Sequence, residues 1–300
     1  MRELRLNSTG LVDGAIYIDR DGQEQLQRGQ VFILAANGVG SARLLQLSSS
    51  SRYPSGLANS SGLVGKRLMM HPYAEVKGVF DESLDSWLGP AGQNIYSAQF
   101  YETDTSRGFI RGTKWNAMPT GGPLQALDSY SGRPLDERFG TRIHANVRDR
   151  LGRMFSWGII VEDLPEESNT VTLDSELTDT DGIPAPRVTY RLSENSRRSM
   201  DFSVARAAEA MEASGARESV SCWNRESGWH LLGTARMGDD PQTSVVNAVG
   251  RTHDIPNLYI NDGSVFVTSA SVNPTATICA IALRNVEHLI AARMLQPVPA

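Results

Sequence analysis

The feature that most constrains the fold is a continuous apolar run, Val31–Ala36, which ends abruptly in the sequence NGVG at 37–40. An uninterrupted apolar run of this length is typical of a strand that is buried on both faces, as in parallel sheets. Asn and Gly then predict a tight turn, and Ser41 is a good N-cap for a helix that continues through Leu47. The segment therefore predicts a strand, a turn and a helix.

The glycines of this turn are similar to a dinucleotide-binding motif, but two parts of that motif are missing. Gly38 and Gly40 follow a strand and open a helix, as in a Rossmann fingerprint. Arg43 stands where a third Gly or Ala is expected, and no Asp or Glu occurs between Tyr53 and Tyr73, where the ribose-binding acid is expected. We therefore interpret the glycines as a strand-to-helix turn and not as the primary pyrophosphate site.

The middle of the chain is rich in strand patterns and ends in one long helix. The best strand patterns are Trp157–Val161, Thr170–Leu173 and Arg187–Tyr190. Pro184 and Pro186 are expected to break the chain before the last of these strands. Ser193 is a good N-cap for a helix with one apolar face, and Gly215 is placed to close that helix. The segment predicts an antiparallel sheet backed by a helix near 194–213.

Two polar residues near the C-terminal end carry the clearest chemical signal. His230 lies in WHLLGTARMG at 229–238, and Asn273 lies in SVNPT at 271–275. Asn followed by Pro is the arrangement of an N-cap and a first helical residue, so a helix is expected to begin at Pro274. A helix start offers free backbone N–H groups and a positive dipole end, which can hold negative charge. Imidazole, with an ordinary pKa of about 6.5, is suited to proton transfer near neutral pH.

These motifs, with NDGS at 261–264 between them, resemble the C-terminal part of the glucose–methanol–choline (GMC) family of FAD-dependent oxidoreductases. Within that family they are most similar to the large subunits of gluconate and sugar-alcohol dehydrogenases. The segment 31–45 resembles a strand and turn that lies against FAD in the family. The segment 63–72 resembles the part of the family that leads out of the FAD domain, and His71 within it is interpreted as structural.

The resemblance implies an α+β fold in two parts. Residues 1–72 and 222–300 are expected to form an incomplete, Rossmann-like FAD-binding domain, and residues 73–221 the antiparallel-sheet substrate domain. The Gly-rich βαβ unit (GxGxxG) with which a complete GMC enzyme opens is not found in the sequence. We therefore expect the chain to be the C-terminal portion of a longer or split enzyme.

The resemblance also implies a reaction and a set of site residues. The reaction is the oxidation of a CH–OH group of a sugar, polyol or aldonate by hydride transfer to FAD. His230 is expected to be the general base, and Asn273 to bind the substrate oxygen. Cofactor contacts are expected at Asn37, Gly38, Asp262, Gly263, Asn273, Pro274 and Thr275.

Composition limits the partners and the location. The net charge of −5 gives no reason to expect nucleic acid, and the two cysteines make no metal-ligand pattern, so no metal site is expected. No apolar run is long enough to span a bilayer and no signal-peptide core is found, so we expect the chain as given to be cytoplasmic. The expected partners are a small alcohol or sugar substrate and either an N-terminal FAD-binding polypeptide or an electron-transfer subunit.

The sequence also leaves open a second function, which is not enzymatic. The chain could be a non-catalytic remnant or an interaction module that keeps the GMC C-terminal fold without flavin. A yellow protein with a flavin absorbance spectrum would favour the enzyme, and a colourless one the module. The electron acceptor, whether quinone, cytochrome or oxygen, is also left open.

Overall fold

The computed structural model describes residues 1–88, 95–128, 139–224 and 228–294. Within these ranges helices combine with mostly antiparallel sheets, which confirms the predicted α+β class. The helices are α1 (Asn37–Leu47), α2 (Pro123–Asp128), α3 (Arg142–Arg150), α4 (Glu194–Ala213) and α5 (Thr275–Met294). The strands are β1 (Glu3–Leu6), β2 (Val12–Ile18), β3 (Glu24–Arg28), β4 (Phe32–Leu34), β5 (Tyr73–Val79), β6 (Tyr96–Ser97), β7 (Thr113–Met118), β8 (Met154–Val161), β9 (Thr170–Thr178), β10 (Pro184–Thr189), β11 (Glu218–Asn224) and β12 (Leu258–Ile260).

The apolar run near the start of the chain forms β4, which pairs in parallel with β12. Further backbone hydrogen bonds extend the pairing, from Phe32 N to Asn257 O (2.9 Å) and from Asn261 N to Leu34 O (2.8 Å). Strands from the two segments 1–72 and 222–300 are therefore adjacent here, while the division of the chain into domains stays a prediction. The strand is not buried on both faces, because Ile33 is 46% exposed and no described element covers its side chain.

Helix α1 begins earlier than its sequence predicts. Asn37 adopts a left-handed backbone with φ of 66°, which Asn tolerates better than most residues. Its Oδ1 accepts hydrogen bonds from the backbone N–H groups of Val39 (2.9 Å) and Gly40 (3.2 Å) and so caps the helix. Ser41 lies inside the helix and does not cap it; its hydroxyl donates to the buried carboxylate of Asp262. The hydrogen bond to Asp262, which is distant in the sequence, outweighs the preference of Ser41 for a capping position.

The middle segment forms a five-stranded sheet with the order β11-β5-β8-β7-β6. Every neighbouring pair in this sheet is antiparallel, as expected. Helix α4 packs on the sheet through Met200, Ala207 and Met211, which are buried against its strands. The predicted cap is present: Ser193 Oγ accepts from Ser196 N at 3.0 Å. Strand β11 continues through the expected boundary at 221/222.

The hairpin β9–β10 lies on α1 and not on the five-stranded sheet. Val171 is buried in the same core as α1 and β12, and Arg43 of α1 forms an ion pair with Asp179 at 2.7 Å. Pro184 and Pro186 lie within β10, although the sequence places them before the strand. They are tolerated because β10 is an edge strand and its register shifts between the two prolines.

Helix α5 begins at Thr275, one residue after the predicted start. The carbonyl of Pro274 accepts the first helical hydrogen bond, from Ile278 N at 2.9 Å, so Pro274 occupies the N-cap position that the sequence assigns to Asn273. None of the helices in the described ranges, α5 included, combines the length and apolar character that crossing a membrane requires.

Candidate active site

His230 lies where two extended segments, 69–71 and 229–232, run antiparallel. The backbones of Met69 and Leu232 exchange two hydrogen bonds of 3.0 Å, and His71 N donates to Trp229 O at 3.2 Å. One residue of the first segment therefore faces two of the second, which is the arrangement of a β-bulge. His230 has a φ of 59°, a left-handed conformation that is uncommon outside glycine. Because of the bulge, the direction of the His230 side chain does not follow the alternation of side chains along the two segments.

His71, which the sequence suggests is structural, makes the closest polar contact of His230. The two Nδ1 atoms are 2.6 Å apart, and the rings meet edge to face with centroids separated by 4.7 Å. The other nitrogen of His71, Nε2, lies 2.8 Å from the carbonyl oxygen of Ala270 and 3.2 Å from that of Ser269. We call His71, His230, Ser269 and Ala270 the histidine cluster. It joins the His230 segment to the segment that leads to Asn273.

Both imidazoles of the histidine cluster favour the neutral form. Burial and, to a smaller extent, the nearby His230 lower the pKa of His71 to about 4, although the two carbonyl hydrogen bonds act in the opposite direction. His71 is 1% exposed, which explains why burial dominates. Burial also lowers the pKa of His230, which is half-buried. A neutral imidazole keeps one unprotonated nitrogen, which is what a general base requires.

Two acidic residues that the sequence analysis did not single out hold the carbonyl side of the cluster in place. Asp163 and Ser269 are bonded twice, from Asp163 N to Ser269 Oγ (2.9 Å) and from Ser269 Oγ to Asp163 O (3.1 Å). The Asp163 carboxylate accepts from Tyr190 Oη at 2.7 Å and from Ser196 Oγ at 3.0 Å. Its neighbour Glu162 is also buried and accepts a hydrogen bond from the backbone of Ala270. The only sequence signal for either residue is a pair of acids that directly follows an apolar strand.

Burial acts on the ionisation of both acids. It raises the pKa of Asp163, and the hydrogen bonds to the carboxylate oppose that rise. Burial likewise raises the pKa of Glu162, against the opposing charge of Arg111, whose Nε is 3.5 Å from Glu162 Oε1. Arg111 has a left-handed backbone with φ of 69°. Next to Asp163 the site therefore contains a carboxyl group, Glu162, and a guanidinium group, Arg111, that are held together.

Asn273 is exposed, and its side chain makes no hydrogen bond with any residue in the described ranges. No hydrogen bond joins it to His230 within those ranges; the two residues are linked through His71 and the backbone of Ala270. Ala270 has a left-handed φ of 54°. The exposed residues 275–277 follow Asn273 at the start of α5, where the first backbone N–H groups of a helix have no partner inside the helix. Asn273 and these amides are open to a ligand.

Asp262, an expected cofactor contact, is bonded inside the protein. One carboxylate oxygen accepts from Ser41 Oγ at 2.5 Å, and the other accepts from Ser264 N at 2.8 Å and from the Ser264 hydroxyl. Asp262 is 7% exposed and caps the 3₁₀ turn Gly263–Val265. We call Asp262, Ser41, Ser264, Gly38 and Gly263 the aspartate cluster.

The two glycines of the aspartate cluster both pack closely against one backbone carbonyl. A Cβ atom on Gly38 would lie 2.8 Å from the carbonyl oxygen of Leu231, and a Cβ on Gly263 would lie 2.8 Å from the same oxygen. Thr234 adds a hydroxyl bond to the Gly38 carbonyl, at 2.5 Å. Glycine at both positions therefore allows α1 and the 3₁₀ turn to approach the backbone next to His230. Within the described residues, no group of three or more His, Cys, Asp or Glu side chains is arranged to hold a metal ion.

Comparison with known proteins relates this site to one family. Residues 165–282 match the family model described as GMC oxidoreductase. The chain is 38% identical to 2-methyl-1,2-propanediol dehydrogenase of Mycolicibacterium austroafricanum, over 93% of this chain and 51% of that protein. It is 30% identical to the fructose dehydrogenase large subunit of Gluconobacter japonicus, over 91% of this chain and 49% of that protein. The chain thus spans about half the length of these curated relatives.

Solved structures share the fold at low sequence identity. Pyridoxine 4-oxidase from Mesorbium loti superposes with a TM-score of 0.60 and 16% identity, over 95% of this chain and 56% of that chain. A formate oxidase of Aspergillus oryzae RIB40, described for the modification of its FAD, superposes with a TM-score of 0.60 and 15% identity, over 97% of this chain and 59% of that chain.

Proposed function

Because this chain belongs to the GMC oxidoreductase family and contains its C-terminal domain, we propose that it carries the substrate-oxidising residues of an FAD-dependent dehydrogenase. The reaction is the oxidation of a CH–OH group to C=O. The observation that carries the proposal is His230: it is half-buried, held on a bulge, and in contact through one nitrogen with a buried second histidine. Its other nitrogen has no hydrogen-bond partner among the described residues.

The start of α5 supports FAD as the cofactor. Its first residues are exposed and their backbone N–H groups have no helical partner, a chemistry that suits the electron-rich edge of a flavin ring. The residues that would hold the cofactor there are Asn273, Pro274 and Thr275. Asn37 also has an exposed side chain, whereas Asp262 has both oxygens bonded inside the protein. When bound, FAD would supply the acceptor for the hydride.

The residues of this chain would contribute the proton transfer and the orientation of the substrate. His230 Nε2 takes the hydroxyl proton of the alcohol as the C–H bond is broken. The Asn273 amide donates to the substrate oxygen and holds the carbon in place. General-base catalysis of this kind contributes roughly 10²–10⁴-fold to rate, and orientation adds to it.

The names of relatives support a proposal for the substrate class and for a partner. The relatives' names include a diol dehydrogenase, a fructose dehydrogenase large subunit and a gluconate 2-dehydrogenase flavoprotein. We therefore propose a sugar, polyol or aldonate as substrate. A chain similar to a protein named a large subunit is also a candidate for assembly with an electron-transfer subunit or a separate FAD-binding polypeptide.

The test is His230→Ala in a flavin-loaded preparation, with bleaching of the flavin absorbance by a polyol donor followed by rapid mixing. We expect a loss of roughly 100-fold or more in the reduction rate, with flavin binding unchanged. His253→Ala is the matched control, because His253 is also half-buried but bonds to Ser244 Oγ at 2.8 Å and Gly238 O at 3.2 Å, away from the histidine cluster. An unchanged reduction rate in His230→Ala would remove His230 from the mechanism.

A further inference from the structure

The contact between His71 and His230 requires one hydrogen between the two Nδ1 atoms. Two imidazole nitrogens 2.6 Å apart must share a hydrogen, because two bare lone pairs or two N–H groups at that distance repel. One Nδ1 therefore donates and the other accepts. Ring geometry alone does not say which is the donor, so the answer depends on what the second nitrogen of each ring contacts.

The surroundings of His71 decide the direction. Its Nε2 faces the backbone carbonyl oxygens of Ala270 (2.8 Å) and Ser269 (3.2 Å), and a carbonyl oxygen only accepts hydrogen bonds. His71 Nε2 must therefore carry a hydrogen. A neutral imidazole has only one N–H, so His71 Nδ1 is the acceptor and His230 Nδ1 is the donor. His230 then has its unprotonated lone pair on Nε2.

We propose that His71 is a positioning residue that holds His230 in the Nδ1–H tautomer and so makes Nε2 the nitrogen that accepts the substrate proton. The use of Nε2 as a base rests on the proposed function; the tautomer does not. When Nε2 takes a proton from an alcohol O–H, His230 becomes an imidazolium. Its Nδ1–H continues to donate to His71, so the acceptor also stabilises the charge that forms.

The carbonyl side of this arrangement is rigid. Ser269 is bonded twice to the backbone of Asp163, and the Asp163 carboxylate is tied to Tyr190 and Ser196. Ala270 keeps a left-handed backbone, an unfavourable conformation that persists only where its surroundings enforce it. Burial of His71, which lowers its pKa, keeps that ring in the neutral form the arrangement requires.

The test reads the tautomer directly, by long-range ¹H–¹⁵N NMR of the ¹⁵N-histidine-labelled chain near pH 7. The sequence has five histidines, and His230→Gln assigns the signal. In the wild type we expect His230 to show a protonated Nδ1 and an unprotonated Nε2. In His71→Phe, which keeps an aromatic ring but removes the acceptor, we expect a mixture of both tautomers. His253→Phe should leave the His230 pattern unchanged.

A wild-type His230 with a protonated Nε2 and a bare Nδ1 would overturn the proposal, and this readout does not require His71→Phe to fold. A single unchanged Nδ1–H tautomer in folded His71→Phe would also overturn it, because His71 would then not be what holds the ring. Neither result depends on flavin or turnover. A correct tautomer with an unchanged flavin reduction rate in His230→Ala would keep this inference and reject the proposed function.

Discussion

The histidine cluster and the aspartate cluster both contact the backbone segment 229–232, but their polar groups are bonded to different extents. In the aspartate cluster, both oxygens of Asp262 are bonded to Ser41 and Ser264, and glycines close the space around Leu231. In the histidine cluster, His230 and Ala270 keep left-handed backbones, and His230 has one nitrogen without a partner among the described residues. Polar groups that are fully bonded inside the protein stabilise the fold, whereas an unbonded group on a strained backbone is available to a ligand.

The difference in bonding separates the expected site residues into those bonded inside the protein and those open to a ligand. His230 was expected to act on the substrate, and Asp262, Gly38 and Gly263 were expected to contact the cofactor. In the structure the aspartate cluster positions the backbone next to His230, and the start of α5 offers the open donors.

Asp262→Ala should destabilise the fold by about 4 kcal/mol, because two buried serines lose their acceptor and unsatisfied buried donors cost about 1–3 kcal/mol each. Urea unfolding of the flavin-free chain measures this. Asp239→Ala removes an exposed acid and is the control, with an expected change within about 0.5 kcal/mol. If Asp262→Ala unfolds no more easily than this control, the aspartate cluster is not structural and the contrast fails.

The histidine cluster should make stability depend on pH between about 6.5 and 4. The unfolded chain protonates His71 near 6.5, while the folded protein keeps it neutral down to about 4, so the unfolded state binds more protons in this window. The contribution of His71 is complete above pH 6.5 and is lost as pH falls, by about 3 kcal/mol in all, since one pKa unit is worth about 1.4 kcal/mol.

The measurement is the free energy of unfolding against pH for the wild type and His71→Phe. We expect the wild type to lose more stability on acidification than the variant. His230, whose folded-state pKa is also lowered, acts in the same sense as His71, whereas Asp163 and Glu162, whose folded-state pKa values are raised, act in the opposite sense. All three are present in both proteins, so the difference reports the loss of His71 together with its contact to His230. If the free energy of unfolding depended equally on pH in the two proteins, His71 would be protonated in the folded state as readily as in the unfolded chain.

Gly38→Ala should destabilise the fold by about 2 kcal/mol. Alanine favours a helix by about 1 kcal/mol over glycine, but here its Cβ would lie 2.8 Å from the backbone of Leu231, which cannot move cheaply. Gly228→Ala is the control, because nothing lies within 4 Å of a Cβ placed there. Thermal unfolding distinguishes the two, and a stabilised Gly38→Ala protein would show that the close approach is absent.

Asn273→Ala should change stability by no more than about 0.5 kcal/mol, because the side chain is exposed and has no partner among the described residues. In the flavin-loaded protein the same variant should slow flavin reduction by a polyol, because the substrate oxygen loses its donor. Urea unfolding and rapid mixing together make the test. A large loss of stability would place Asn273 with the structural residues.

Much of the fold could be predicted because its signals are local. The N-cap at Ser193 and the apolar face of α4 lie within one helix, and the GMC motifs around His230 and Asn273 are short and contiguous. The predicted cap of α1 was wrong: Asn37 takes that role, because the preference of Ser41 for a cap is outweighed by a partner 221 residues away. The role of His71 was missed for the same reason: its contact with His230 spans 159 residues.

The sequence by itself determined the class of the fold, the long helix and the residues able to move a proton or bind an oxygen. Periodicity, capping and side-chain chemistry are properties of residues close together in the chain. The tertiary structure alone decided which of these groups are already bonded. It directs the lone pairs of Asp262 into the protein, it aims the carbonyls of Ser269 and Ala270 at His71, and it thereby selects the protonated nitrogen of His230. Whether a polar group is fully hydrogen-bonded, and which nitrogen of an imidazole carries the proton, depend on partners that only folding brings within about 3 Å.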